Sequence, residues 1–135
     1  MTIDYTFADV LTMAKTIYGE ARGECLEGQY AVGHVIVNRY KKHNAPTIMG
    51  VCLKPMQFSC WNYNDPNRIK LDNMTKNTPA LQPFITIAKN VLEGAYADTT
   101  FGATHYCTGN VTPKWIQGHT PCVTIGHHRF YNDVA

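Results

Sequence analysis

The stretch from Tyr18 to Glu24, Tyr-Gly-Glu-Ala-Arg-Gly-Glu, contains residue types that could transfer a proton. It places two carboxylates, Glu20 and Glu24, and the guanidinium of Arg22 on the last turns of an apolar helical pattern, where burying charge is costly. A carboxyl group shielded from water has a raised pKa and can act as a general acid near neutral pH. Glu20 is therefore the first candidate for a proton-transferring residue.

The helical geometry of this stretch leaves open which carboxylate does the chemistry. At about 100° per residue, Glu20 lies roughly 120° from the centre of the apolar stripe and Glu24 roughly 80°. Glu20 is exposed unless a second layer covers that flank, and the C-terminal half of the chain is the candidate cover. The structural alternative for Glu24 is a helix-end carboxylate that organises the turn to the next helix. Arg22 lies on a different face from Glu20.

A second group of residues has the character of a carbohydrate-binding surface. Aromatic rings beside amide and hydroxyl groups bind sugars, because a pyranose ring has an apolar face and a polar edge. The candidate substrate-binding residues are Gln57, Phe58, Ser59, His105, Tyr106, Lys114, Trp115 and His128, accompanied by Trp61, Phe130 and Tyr131. Each of Phe58, Tyr106 and Phe130, taken alone, also fits an ordinary core residue.

Histidines and cysteines form a third group, which could ligate zinc. Its pairs are His105 with Cys107, His119 with Cys122, and the neighbours His127 and His128. No spacing matches a zinc finger or a metalloprotease helix, so we predict no metal and no other cofactor. The five cysteines are odd in number, which favours reduced packing residues, with a Cys107–Cys122 bridge as the alternative.

Composition restricts the class of protein. With 135 residues, 44% of them hydrophobic and 16% charged, the chain is predicted to form one globular domain over residues 1–135. A net charge of +2 is too small for a strong nucleic-acid-binding surface. The basic run Arg39, Lys41, Lys42 and His43 is interpreted as a favourable contact with a helix dipole. The chain has no apolar run of membrane-spanning length.

The periodicity of apolar residues predicts an α+β fold, a small helix-rich domain with a short C-terminal β-sheet. The first helix begins at a capping box of Thr6 and Asp9 and ends near Gly23. We predict further helices over residues 27–40 and about 48–52, and one that begins at Thr78 and Pro79. Residues 57–61 are expected to be extended and residues 61–77 to form a long surface loop. Strands are predicted at residues 104–107, 122–125 and 129–131.

Six blocks of the sequence, taken in order, resemble the cell-wall hydrolases related to the catalytic domain of the spore-cortex-lytic enzyme SleB. They are residues 17–24 (IYGEARGE), 27–39 (EGQYAVGHVIVNR), 55–61 (PMQFSCW), 98–106 (DTTFGATHY), 114–116 (KWI) and 125–131 (IGHHRFY). The blocks cover nearly the whole chain. The resemblance implies a fold with lysozyme-like features and cleavage of peptidoglycan glycan strands.

The resemblance also implies a mechanism, in which Glu20 is the catalytic acid/base. Glu20 would cleave the β-1,4 bond from N-acetylmuramic acid to N-acetylglucosamine and produce a 1,6-anhydro end, as a lytic transglycosylase. Simple hydrolysis is the second possibility, with Glu27, Asp65 or Asp98 as the partner carboxylate. Two other classes stay open: a zinc-dependent wall amidase that uses the His/Cys group, and a wall-binding module without turnover.

Several features differ from the cortex-lytic pattern. The sequence shows neither an export signal nor a wall-binding domain, so we expect synthesis in the cytoplasm and action on the wall after release, as for a phage lysin aided by a holin. The block at residues 57–59 and the Asn/Asp-rich segment after it also differ. Ordinary vegetative wall is therefore a better expected substrate than the cortex lactam. We expect a monomer that binds peptidoglycan and no nucleic acid.

Overall fold

A computed structural model describes residues 3–109 and 112–134 of the chain. Over these residues the structure is a helical layer with a small sheet after it, which confirms the α+β prediction. The helices are α1 (Phe7–Ala21), α2 (Leu26–Lys41), α3 (Ile48–Leu53), α4 (Pro66–Asn73) and α5 (Gln82–Leu92), and the strands are β1 (His105–Thr108), β2 (Val123–Ile125) and β3 (His128–Tyr131). Short 3-10 helices span Ser59–Trp61, Pro79–Leu81 and Lys114–Ile116.

The capping box at the start of α1 forms as predicted. Thr6 Oγ1 accepts the Asp9 backbone N–H at 3.2 Å, and Asp9 Oδ2 accepts the Thr6 N–H at 2.8 Å. The other oxygen of Asp9 accepts the N–H of Met49 at 2.9 Å, which ties α1 to the start of α3. The cap therefore fixes both the first turn of α1 and the position of a neighbouring helix.

The main core lies where α1, α2 and α5 pack against one another. Ile17 on α1 and Ile36 on α2 are fully buried, and Val91 on α5 is nearly so. Each such side chain contributes about 1.5–3 kcal/mol relative to an exposed position. Gly33 allows α2 to approach closely, since a Cβ there would lie 3.2 Å from Val91 and 3.4 Å from Ile17.

The sheet is antiparallel with strand order β1-β3-β2, so β3 is central and β1 lies at an edge. Side chains alternate between its two faces. The inner face includes Phe130, which is fully buried and packs with Ala31 and Val35 of α2. Tyr106 lies opposite Phe130 in the register and so shares this face. The outer face carries His105, which lies opposite Tyr131.

Two predictions for the middle of the chain are wrong. Residues 57–61 are not an extended strand, because Ser59–Trp61 form a 3-10 turn. Residues 61–77 are not an unstructured loop, because α4 occupies Pro66–Asn73. Asp65 caps this helix by accepting the N–H of Asn67 at 2.8 Å, Pro66 takes its first position, and Leu71 is fully buried.

All five cysteines are free, so the alternative of a Cys107–Cys122 bridge is wrong. Cys107 lies on β1, and Cys122 precedes β2 and donates its backbone N–H to the carbonyl of Phe130 on β3. The central strand therefore separates the two thiols, which is more than a disulfide can span. Among the described residues, no helix has the length and apolar character needed to cross a bilayer.

Candidate active site

Glu20 lies half-buried in the last turn of α1, and both of its carboxylate oxygens have a partner. The hydroxyl of Tyr106 donates to Oε1 at 2.5 Å, and the backbone N–H of Cys60 donates to Oε2 at 3.2 Å. Tyr106 belongs to β1 and Cys60 to the 3-10 turn Ser59–Trp61. The C-terminal sheet therefore covers the flank of α1 that the helical wheel left exposed, together with a turn from the middle of the chain.

The approach of the 3-10 turn to α1 depends on a glycine. A Cβ built at Gly19 would lie 2.7 Å from the Cβ and 2.8 Å from the Sγ of Cys60, which is closer than packed atoms allow. Only a residue without a side chain lets the Cys60 backbone reach Glu20. This is the physical reason for the glycine that directly precedes the candidate catalytic residue.

The two groups that donate hydrogen bonds to the carboxylate are neutral. Burial raises the pKa of Tyr106 well above its ordinary value, and the nearby Glu20 raises it further. Burial also raises the pKa of the Cys60 thiol, again with a contribution from Glu20. Tyr106 therefore stays protonated and donates, and Cys60 is not a thiolate nucleophile near neutral pH.

A shallow depression of about 370 Å³ opens over Glu20. Its wall is formed by residues 19–24 of the α1 terminus, and Thr108 and His128 complete it. His128 is 3% exposed, its ring centroid lies 4.7 Å from that of Tyr106, and its Nδ1 has no hydrogen-bond partner within the described residues. Burial lowers the pKa of His128, so the imidazole is neutral at pH 7.

Glu24 is a structural residue, although it borders the same depression. Its Oε1 accepts the backbone N–H of His127 at 2.8 Å, and its Oε2 lies 2.9 Å from the Nδ1 of that imidazole. Burial acts to raise the pKa of Glu24, but the hydrogen bonds from His127 outweigh it and the pKa is lowered. The sequence predicted that Glu24 organises the turn from α1 to α2. In the structure its carboxylate instead holds the turn between β2 and β3 against the end of α1.

Arg39 is 7% exposed and lies between the sheet and the turn. Its Nε donates to the carbonyl of Thr104 at 2.6 Å, and its Nη1 donates to Oε1 of Gln57 at 3.2 Å. Its guanidinium lies 4.8 Å from the ring centroid of Phe58, which is 1% exposed. Arg39 and Lys41 lie in the last turn of α2, where the helix-dipole interpretation places them, and the Arg39 side chain in addition joins the sheet to the 3-10 turn. Phe58 is a core residue rather than part of a groove wall.

The structure separates the predicted substrate-binding residues into several places. Tyr106 and His128 adjoin Glu20, as described above. Gln57 and His105 line a neighbouring pocket of about 330 Å³. Trp115 lies on the outer face of the sheet, with its ring centroid 5.1 Å from that of His105 and 5.0 Å from that of Tyr131. Ser59 and Lys114 are exposed and do not border the Glu20 depression.

Sequence reasoning missed two contributors, Cys60 and Thr108. Cys60 contributes its backbone N–H, and the identity of a side chain does not show where its backbone N–H lies. Thr108 follows Tyr106 on β1 by two residues and so shares its face, a signal that the strand prediction contained. The histidines and cysteines do not assemble a metal site: across residues 3–109 and 112–134, no group of three or more His, Cys, Asp or Glu is placed to hold an ion.

Comparison with known proteins gives the family. The family model described as Cell Wall Hydrolase matches residues 23–131, most of the chain. The chain belongs to the cell wall hydrolase family. The resemblance to SleB-related enzymes is thereby confirmed. Glu20 lies just before the matched range, so its role is argued from the geometry and from the motif around it.

Curated relatives of this cell wall hydrolase are spore cortex-lytic enzymes. The enzyme of Halalkalibacterium halodurans is 31% identical over 131 residues, covering 95% of this chain and 36% of the relative. That of Bacillus cereus is 33% identical over 129 residues, covering 93% of this chain and 45% of the relative. The chain therefore spans less than half the length of these relatives.

Two solved structures share the fold. The catalytic domain of the Bacillus cereus SleB protein has a TM-score of 0.72 at 30% identity, covering 95% of this chain and 92% of that domain. The catalytic domain of the germination-specific lytic transglycosylase SleB from Bacillus anthracis has a TM-score of 0.71 at 28% identity, covering 97% and 99%. The similarity therefore extends over the whole catalytic domain of these enzymes.

Proposed function

We propose that this cell wall hydrolase cleaves the β-1,4 bond from N-acetylmuramic acid to N-acetylglucosamine in peptidoglycan, as a lytic transglycosylase with Glu20 as the acid/base. The observation that carries the proposal is the half-buried Glu20 carboxylate, held by Tyr106 and Cys60 at an open depression. Family membership supports peptidoglycan as the substrate. The name of the Bacillus anthracis relative supports a transglycosylase reaction.

In the first half of the reaction, Glu20 acts as the acid. Its proton passes to the glycosidic oxygen while the bond from that oxygen to the muramic C1 breaks and positive charge develops at C1. In the second half, the resulting carboxylate takes the proton of the muramic 6-hydroxyl. The 6-oxygen then bonds to C1, which gives the 1,6-anhydro end and restores protonated Glu20. No water is consumed.

One catalytic carboxylate is sufficient in this scheme because the nucleophile belongs to the substrate. Of the candidate partners for hydrolysis, Glu27 is exposed in the first turn of α2 and does not line the Glu20 depression. Glu24 is occupied by His127. Asp65 caps α4, and Asp98 accepts hydrogen bonds from Asn38 and Thr100. Most hydrolytic glycosidases need a second carboxylate on the other side of the bond. The engagement of these groups favours transglycosylation over hydrolysis.

Replacing Glu20 by Gln tests the site. The amide keeps the shape of the side chain but cannot exchange the proton, so we expect the rate of lysis of purified sacculi to fall by about 10³-fold or more. Binding to the sacculi, measured by sedimentation, should stay close to that of the parent. Glu27→Gln, at an exposed position in the first turn of α2, is the control and should lyse like the parent. Lysis by Glu20→Gln at the parental rate would refute the assignment.

The reaction type is tested by mass spectrometry of the released fragments. The transglycosylase produces muropeptides with 1,6-anhydro ends, which are lighter by one water than the products of hydrolysis. Fragments that carry only reducing ends would show that water attacks C1, and the second possibility, hydrolysis, would then replace the proposal.

A further inference from the structure

A second pocket lies at the other end of β1 from the proposed active site, and its chemistry is not used by the mechanism above. It has a volume of about 330 Å³ and lies between the C-terminal end of α2, the segment before Phe58 and the start of β1. We call it the basic pocket, and define it by Arg39, Lys42, Asn44, Gln57, Thr104 and His105.

The guanidinium of Arg39 is a buried charge that makes no hydrogen bond or ion pair with a carboxylate among the described residues, although Glu20 interacts with it electrostatically. Its two hydrogen bonds go to neutral oxygens, those of Thr104 and Gln57, and none of the ion pairs among the described residues includes it. Buried charges in proteins are normally paired, because desolvation without a counter-charge is costly. Because no carboxylate contacts Arg39 directly and Arg39 lines an open pocket, it can still bind an anion from outside the chain.

The rest of the basic pocket suits an anion. Lys42 adds a second permanent positive charge, and no described Asp or Glu lines the pocket. Burial, with the charge of Arg39, lowers the pKa of His105 to about 4, so this imidazole is neutral at pH 7.

The basic pocket and the Glu20 depression lie at opposite ends of β1. His105 borders the first and Thr108 the second, and three residues of strand separate them by about 10 Å. Tyr106, whose hydroxyl reaches Glu20, lies between them. β1 is an edge strand of the sheet, and it joins the two sites.

We propose that the basic pocket binds a carboxylate of the peptide stem that muramic acid carries beside the cleaved bond. A stem supplies the anion that the pocket lacks, namely a carboxylate for Arg39 and Lys42. This inference rests on the proposed function. It predicts a preference for glycan with peptide stems over glycan without them.

The test compares two substrates in one assay. Glycan strands are prepared from sacculi freed of phosphate polymers, and half of them are stripped of stems by an amidase. We expect the wild type to have a higher kcat/KM on the strands with stems. Lys42→Gln should reduce the ratio of the two kcat/KM values by about three- to tenfold, and the charge reversal Lys42→Glu by more. Lys41→Gln, the adjacent exposed lysine outside the basic pocket, is the matched control and should keep the wild-type ratio.

Two results would overturn the proposal. One is equal wild-type rates on the two substrates, or an unchanged ratio in Lys42→Gln. The other is an effect of Lys42→Gln seen only with strands that retain phosphate polymers, which would assign the pocket to phosphate. Neither result bears on the function of Glu20. Only an active Glu20→Gln variant would refute that function.

Discussion

Glu20 can act in turn as an acid and as a base only if its carboxylate keeps one orientation through both steps. Two donors hold it, the Tyr106 hydroxyl at Oε1 and the Cys60 backbone N–H at Oε2. Only the first is a side chain that substitution can remove. Because burial keeps Tyr106 protonated, its hydroxyl donates to the carboxylate throughout the cycle. We therefore assign Tyr106 a positioning role beside the proton-transferring residue.

Tyr106→Phe removes the hydroxyl and keeps the ring that packs against Phe130. We expect kcat to fall by about 10- to 100-fold, because the carboxylate loses one of the two groups that orient it, while KM and the melting temperature change little. Tyr63→Phe removes a hydroxyl from a side chain that is 92% exposed, and serves as the control. A Tyr106→Phe enzyme with parental kcat would show that the Cys60 N–H alone is sufficient.

The 3-10 turn Ser59–Trp61 is the element that brings the second donor to Glu20. Its position is secured on one side by Trp61, whose Nε1 donates to Thr16 Oγ1 at 2.8 Å. On the other side it presses against Gly19, where no side chain intervenes. The distance between α1 and this turn therefore depends on the hydrogen bond from Trp61 to Thr16 and on the absence of a side chain at Gly19.

Gly19→Ala should force the turn away from α1. The added methyl group would meet Cys60 at 2.7 Å, so we expect a loss of about 1–3 kcal/mol in the free energy of unfolding and a fall in kcat of at least about tenfold. Urea denaturation and lysis assays measure the two effects. Gly23→Ala is the control for the free energy of unfolding, since a Cβ there meets nothing within 4 Å. Parental activity in Gly19→Ala would mean that the turn adjusts without moving its N–H from Glu20.

The periodicity of apolar residues was sufficient to locate the long helices α1, α2 and α5. It did not predict which side chains of different elements contact one another. The basic run predicted that Arg39 lies at a helix end, yet only the structure shows the Thr104 carbonyl to which its Nε donates. Asp65 and Pro66 have the residue types of a helix start. The polar composition of the surrounding segment nevertheless favoured the prediction of a loop over residues 61–77. The Glu20–Tyr106 contact joins residues 86 positions apart, and no local pattern predicts such a pair.

Buried neutral histidines couple the stability of the whole molecule to pH. Burial lowers the pKa values of His34, His105 and His128 below the ordinary 6.5, and that of His105 to about 4. The unfolded chain therefore binds more protons than the folded one below about pH 6.5. Their contribution to stability is fully present above that pH and is lost as the pH falls toward the folded values. The lowered pKa of Glu24 acts in a separate window, below about pH 4.3.

His105→Gln should weaken this pH dependence. Between pH 7 and pH 5 the wild type binds protons on unfolding at this site, whereas the variant has no group there that titrates in this range. We expect the decrease in the free energy of unfolding over this range to be smaller in the variant by about 1 kcal/mol, a value discounted because His105 is partly exposed. Urea denaturation at both pH values measures it. His43→Asn, at an exposed position with a φ of 62° that Asn tolerates, is the control. An equal decrease in wild type and His105→Gln would show that His105 is as easily protonated in the folded chain as in the unfolded one.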